Sequence, residues 1–126
     1  MSCPPRNDVV RRYRRMMPRI SIDDLHALGL RIGTVTRAAP NDGARDSALC
    51  LWIDVGSDHE VQSSAKVCDR YDAVSIVGRQ VVVVTALEPM RVGGFRSDVL
   101  VIGALADGGV VLLQPDTPVP PGTEIA

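Results

Sequence analysis

The chain has 126 residues and a formal charge of −1, with 14 Lys and Arg against 15 Asp and Glu, so its overall charge does not favour a non-specific grip on polyanions. Apolar residues make up 45% but aromatics only 3%, so a single domain of this length must build its core from Val, Leu, Ile and Ala. No apolar run approaches the ~18 residues of a membrane span and no signal-peptide pattern opens the chain. The three cysteines, Cys3, Cys50 and Cys68, lack metal-ligand spacing, so the expectation is a cytoplasmic protein with reduced thiols, no cofactor, no metal and no membrane insertion.

Charge is unevenly spread. Residues 1–19 hold six Arg against Asp8, giving +5, while residues 20–126 hold eight bases and fourteen acids, giving −6. The arm, 1–19, has little core-forming pattern and reads as a basic, poorly ordered leader. It could also grip phosphate, and Met16 or Met17 could be the true start. The domain proper is expected at 20–126.

From Ser21 the pattern becomes regular. Ser21 followed by Asp24 reads as a capped start of a short helix, IDDLHAL, ending near Gly29. LRIGTVTRA alternates as a strand, PNDGARDS (40–47) is a polar turn, and ALCLWIDV (48–55) is a second strand. GSDHE turns into a third, VQSSA (61–65). KVCDRYDAVSIVG predicts a helical connection ended by Gly78. RQVVVVTAL (79–87) is the strongest strand. An arginine loop follows, then SDVLVIGAL (97–105), a turn at Asp107-Gly108-Gly109, and VVLLQ (110–114). The proline-rich tail PDTPVPPGTEIA should be extended. Short strands with one mid-chain helix between the third and fourth predict an all-β OB-fold, a five-stranded barrel.

The arginine loop raises a functional question. In EPMRVGGFRSDVLVIG, Gly93 and Gly94 permit backbone angles closed to other residues, and Arg91 and Arg96 flank Phe95, the one phenylalanine in the chain. Guanidinium groups fork onto phosphate or carboxylate oxygens. Phe95 either stacks on a ligand or plugs the barrel beneath the glycines.

LRIGTV, IDVG, QSSA, RY, GRQVVVV, EPMRVGGFRSDVLVIG and VVLLQPDTPVPPGT, in that order, resemble the tRNA-binding-domain family, and within it the small CsaA-type chaperones. That resemblance covers about 22–125. It implies an OB-fold with terminal additions, a homodimer, no catalysis, and either preprotein peptides, in a role tied to protein export, or tRNA as ligand. Gly29, Cys50, Val61 and Ala86 replace polar or basic residues of the family pattern, three of them near the binding face, which disfavours RNA. A tail too long to finish the barrel suggests burial against a two-fold partner.

The expected ligand-binding residues, for peptide or RNA, are Gln62, Ser63, Ser64, Arg91, Phe95, Arg96 and Ser97. The small polar groups of QSSA suit contact with phosphate, sugar or peptide backbone, or else satisfy neighbouring turns. Lys66, Arg70 and Arg45 could join them, while Trp52 and Tyr71 are expected in core or turn settings. Asp58-His59 near Ser63-Ser64 suggests a nucleophile and base only weakly, because no nucleophile elbow or phosphate loop is present. The expectation is no enzyme.

Overall fold

The structure, a computed structural model, describes residues 18–126; the expectation for the basic arm lies outside the described residues. Helix α1 (Ile22–Ala27) begins with a reciprocal capping box, Ser21 and Asp24 each accepting the other's backbone N–H, and buries none of its residues. Strands β1 (Leu30–Pro40), β2 (Leu49–Asp54), β3 (Val61–Ala65), β4 (Gln80–Val84), β7 (Leu100–Ala106) and β8 (Gly109–Leu112) form one curled sheet in the order β3-β2-β1-β4-β7-β8. Strands β5 (Met90–Val92) and β6 (Phe95–Ser97) form a separate hairpin. The architecture is all-β and OB-like.

The long β1 makes the curl. Its first half pairs with β4 and its second with β2, and the register slips by one residue between Val35 and Arg37. Such a bulge bends a strand and raises its twist, which lets one strand serve two neighbours at an angle. Gly33 stands where β1 and β2 come close, since a Cβ there would run into the Ile53 side chain.

Alternation builds the core. Leu49, Leu51 and Ile53 of β2 point inward, as do Val81 and Val83 of β4, and Val35 joins them; all are at most 3% exposed. Fully burying each such side chain contributes roughly 1.5–3 kcal/mol, so the Val, Leu and Ile core expected from composition is present.

The connection at 66–78 is a chain of turns rather than the expected helix. Asp72 explains it: its Oδ1 accepts the backbone N–H groups of Val74 and Ser75 at 2.9 and 2.7 Å, and its own N–H donates to Ser75 Oγ at 3.1 Å. Side-chain capping of this kind competes with helix propagation, and Gly78 at φ 90° stops the chain after one turn. The turn still delivers Ile76 to the core at 0% exposure.

The expected arginine loop is a two-stranded ladder. Gly93 and Gly94, at φ 59° and 81°, form a two-residue turn with positive φ at both positions, and Arg91 faces Arg96 across it. The tail is extended, as expected, but it returns along its own chain. Ile32 N–H donates to Thr123 O, Gly122 N–H to Ile32 O and Ile125 N–H to Leu30 O, at 2.9, 2.7 and 3.0 Å. Gln80 pins Val119 from both ends of its amide. The tail therefore runs along β1 of its own chain, with residues 116–118 and 120–121 left exposed.

Candidate ligand-binding face

Because Leu51 and Ile53 point inward, Trp52 between them points out. Sequence reasoning put it in a core or turn setting; the structure puts it half-buried on the outer face of the sheet. Arg37 pairs with it on one side and Gln62 on the other. The Arg37 guanidinium carbon lies 3.9 Å from the Trp52 ring centroid, a cation–π contact. Phe95 meets the same ring edge-on, with centroids 5.5 Å apart and planes at 82°. A platform of Arg37, Trp52 and Phe95 results.

Phe95 is thus not a plug for the barrel interior. The bulge at Thr36 hid the platform from sequence reasoning. With unbroken alternation, Arg37 would share the inward side of Val35; the extra residue turns it outward. Thr36 Oγ1 itself donates to the Trp52 carbonyl and contacts the Glu60 carboxylate.

The expected site residues divide into two groups. Gln62 donates from Nε2 to the Arg96 carbonyl at 2.8 Å and lies beside Trp52. Arg91 and Arg96 are exposed on the hairpin; Arg91 Nη1 donates to Gly94 O at 3.1 Å, and Arg96 Nε lies 2.6 Å from Asp98 Oδ1. Together with Phe95 these share one region. Ser63, Ser64 and Ser97 do different things. Ser63 is 1% exposed and faces the interior, so it is not brought to this surface. Ser97 Oγ accepts the Ser64 N–H at 3.1 Å and is 8% exposed, and Ser64 Oγ accepts from Asn41 Nδ2 at 3.1 Å. Those two hydroxyls clasp the hairpin to β3.

Asn41, which sequence reasoning missed, completes that clasp by donating to Val92 O at 3.0 Å. Gly43 and Gly93 touch backbone to backbone; a Cβ on either would clash with the other loop. The 41–47 loop and the hairpin are therefore latched at one end of the face. Cys50, beside Ser64 in register, is only 6% exposed there. Burial, and then the negative charge of Asp42, push its thiol above the ordinary 9.0.

At the other end a groove of about 890 Å³ opens between the start of β1, the β2–β3 turn and β6. Arg31 and Arg96 line it with Glu60, Asp98 and Gln62. Arg31 is tied to Glu124 at 3.2 Å. Lys66, elsewhere, is engaged with Asp46 at 2.9 Å, while Arg70 donates to the carbonyls of Asp107 and Gly109. Ser57 Oγ donates to the His59 carbonyl at 2.6 Å rather than to its ring, and among the described residues no group of His, Cys, Asp and Glu is placed to hold a metal ion.

The curled, OB-like sheet thus places the Arg37–Trp52–Phe95 platform beside an open groove. The chain matches the model of the putative tRNA-binding domain over residues 30–124 and belongs to that family, a binding-domain family rather than a catalytic one. It is similar to the chaperone CsaA of Bacillus anthracis, with 44% identity over 86% of this chain and 100% of that one and a TM-score of 0.79. It is also similar to the CsaA chaperone of Picrophilus torridus, at 29% identity and TM-score 0.79, with 86% and 100% of the two chains covered. The methionine–tRNA ligase of Methanothrix thermoacetophila is 40% identical over 86% of this chain, which spans only 16% of the ligase's length. No helix among the described residues is long and apolar enough to cross a membrane.

Proposed function

We propose that this protein is a non-catalytic, dimeric chaperone of the CsaA type that holds extended segments of unfolded polypeptide, preproteins before export among them, in the cytoplasm. The observation that carries the reading is the state of the cations around the face. Arg96 and Arg31 are each paired with a carboxylate within 3.2 Å, and Arg37 lies over Trp52. Residues 20–126 also carry −6. Affinity for nucleic acid is dominated by phosphate neutralisation; with three cations of the face engaged in this way within an acidic body, Arg91, which donates to Gly94 O, is the one of the face left without a carboxylate or ring partner among the described residues. A polypeptide can bind through apolar surface and a stacking platform without neutralising phosphates, and the Trp52 face and the groove beside it offer both.

A second reading, tRNA binding, is supported by the family match and by the platform, since base stacking on an aromatic beside a guanidinium is a common mode for single-stranded RNA. Trp52 is the one tryptophan of the chain, so its emission reports directly on this face. Titration with a carboxymethylated, permanently unfolded protein should shift that emission at micromolar concentration, and total tRNA should do so only at low salt. A shift with tRNA that survives physiological salt, with none for unfolded protein, reverses the assignment.

A further inference from the structure

We propose that the groove and the Trp52 platform are two subsites of one site, and that the groove takes an apolar side chain of the same polypeptide whose planar side chain rests on the platform. This rests on the polypeptide reading above and deepens it. Three observations carry it.

First, the two regions share their boundary. Gln62 lies beside Trp52 in register and also lines the groove, while consecutive residues of β6 serve the two sides, Phe95 against Trp52 and Arg96 in the groove. Second, part of the groove wall is apolar: Val55, Val61, Leu87, Pro89 and Val99 line it. Leu87 is 43% exposed with this wall as its surroundings, a surface that gains by being covered. Third, the groove's own formal charges cancel, Arg31 and Arg96 against Glu60 and Asp98. A phosphate chain entering it would meet two carboxylates for its two guanidinium groups, whereas an uncharged apolar side chain set against the valine and leucine wall is repelled by neither sign. Because the subsites abut along β6 and an extended chain advances ~3.3 Å per residue, the two anchoring side chains should lie two or three residues apart.

The test uses the full chain and synthetic decapeptides bearing Phe and Leu two or three residues apart, Phe alone, or Leu alone, read by Trp52 emission and by anisotropy of a peptide label. The two-anchor peptide should bind about tenfold tighter than the Phe-only peptide, the scale of one buried apolar side chain. Leu87→Asp should erase that advantage while leaving the Phe-only peptide unchanged. Replacing the peptide's Leu by Asp should erase it too, with no change to the protein. Equal binding of the two-anchor and Phe-only peptides overturns the inference but leaves the polypeptide reading standing. So does loss of tRNA binding in Leu87→Asp with peptide binding intact, which makes the groove an RNA surface. Failure of every peptide to bind removes the polypeptide reading itself.

Discussion

Gly93→Ala tests whether the 41–47 loop and the β5–β6 hairpin are held together by backbone contact. Two costs combine at this position. Its φ of +59° lies in the left-handed region, where an L-residue pays roughly 1–2 kcal/mol. The new Cβ would also lie under 3.0 Å from the Gly43 carbonyl group and the Ala44 nitrogen, backbone atoms that cannot swing aside. The loops must therefore part, and the Asn41 bonds to Val92 and Ser64 go with them, at about 0.5–1.5 kcal/mol each. The total is roughly 2–5 kcal/mol.

Gly94→Ala is the internal control. Its φ is +81° with nothing within 4 Å of the added atom, so only the roughly 1–2 kcal/mol of backbone strain applies. Urea unfolding followed by circular dichroism should show Gly93→Ala less stable than Gly94→Ala by about 1–3 kcal/mol, the clash and lost hydrogen bonds alone. At roughly 4–8 °C per kcal/mol for a domain near this size, the melting temperatures should differ by on the order of 10 °C. A thiol reagent adds a local readout. Cys50, buried behind the latch, should react slowly in the parent and in Gly94→Ala but faster in Gly93→Ala, while exposed Cys68 reacts quickly in all three. Equal stability of the two variants, with unchanged Cys50 reactivity, refutes the latch.

Arg91→Glu should flatten the dependence of log affinity for tRNA on log salt, by about 0.7 per lost single-strand phosphate contact, if RNA binds this hairpin; unfolded-protein binding should change little, as titrations at several salt concentrations will show. Phe95→Ala should weaken binding of aromatic peptides and shift Trp52 emission in the free protein, because the edge-on ring partner is removed. Backbone hydrogen bonds, first from Ser75 and then from Val74, hold the Asp72 carboxyl below its ordinary 3.8. Its stabilisation is thus present above that value and lost as pH falls through the lowered pKa, so Asp72→Asn should flatten acid unfolding curves below about pH 4. Sedimentation at micromolar concentration should give a dimer, and Leu100→Asp, on β7, where Leu100 is 51% exposed and neither β7 nor β8 carries a charged residue, should give monomers.

Local chemistry made much of the fold legible in the sequence. The Ser21–Asp24 box, the glycine turns, the alternation in LCLWID and the valine run of β4 each state their conformation within a few residues, because capping, positive φ and period-two burial are short-range effects. The helix expected at 66–78 failed for the opposite reason. One carboxylate, Asp72, took the backbone N–H groups a helix would have needed, and short-range propensity does not reveal which side chain wins that competition.

The site was legible only in part. Arg91, Phe95, Arg96 and Gln62 could be singled out because unusual residue types were concentrated around two short motifs. Their partners could not. Arg37 reaches Trp52 through a bulge that shifts β1 by one residue, a change set by pairing with two strands at once and written in no local pattern. Asn41 meets Val92 across 51 positions of chain. Ser63 and Ser64 show the same limit at its smallest scale. Adjacent and chemically identical, they part because a strand sends neighbours to opposite faces, Ser63 inward at 1% exposure and Ser64 to the hairpin clasp. The sequence by itself determined that a strand ran through them, and the sheet's register decided which serine met the core.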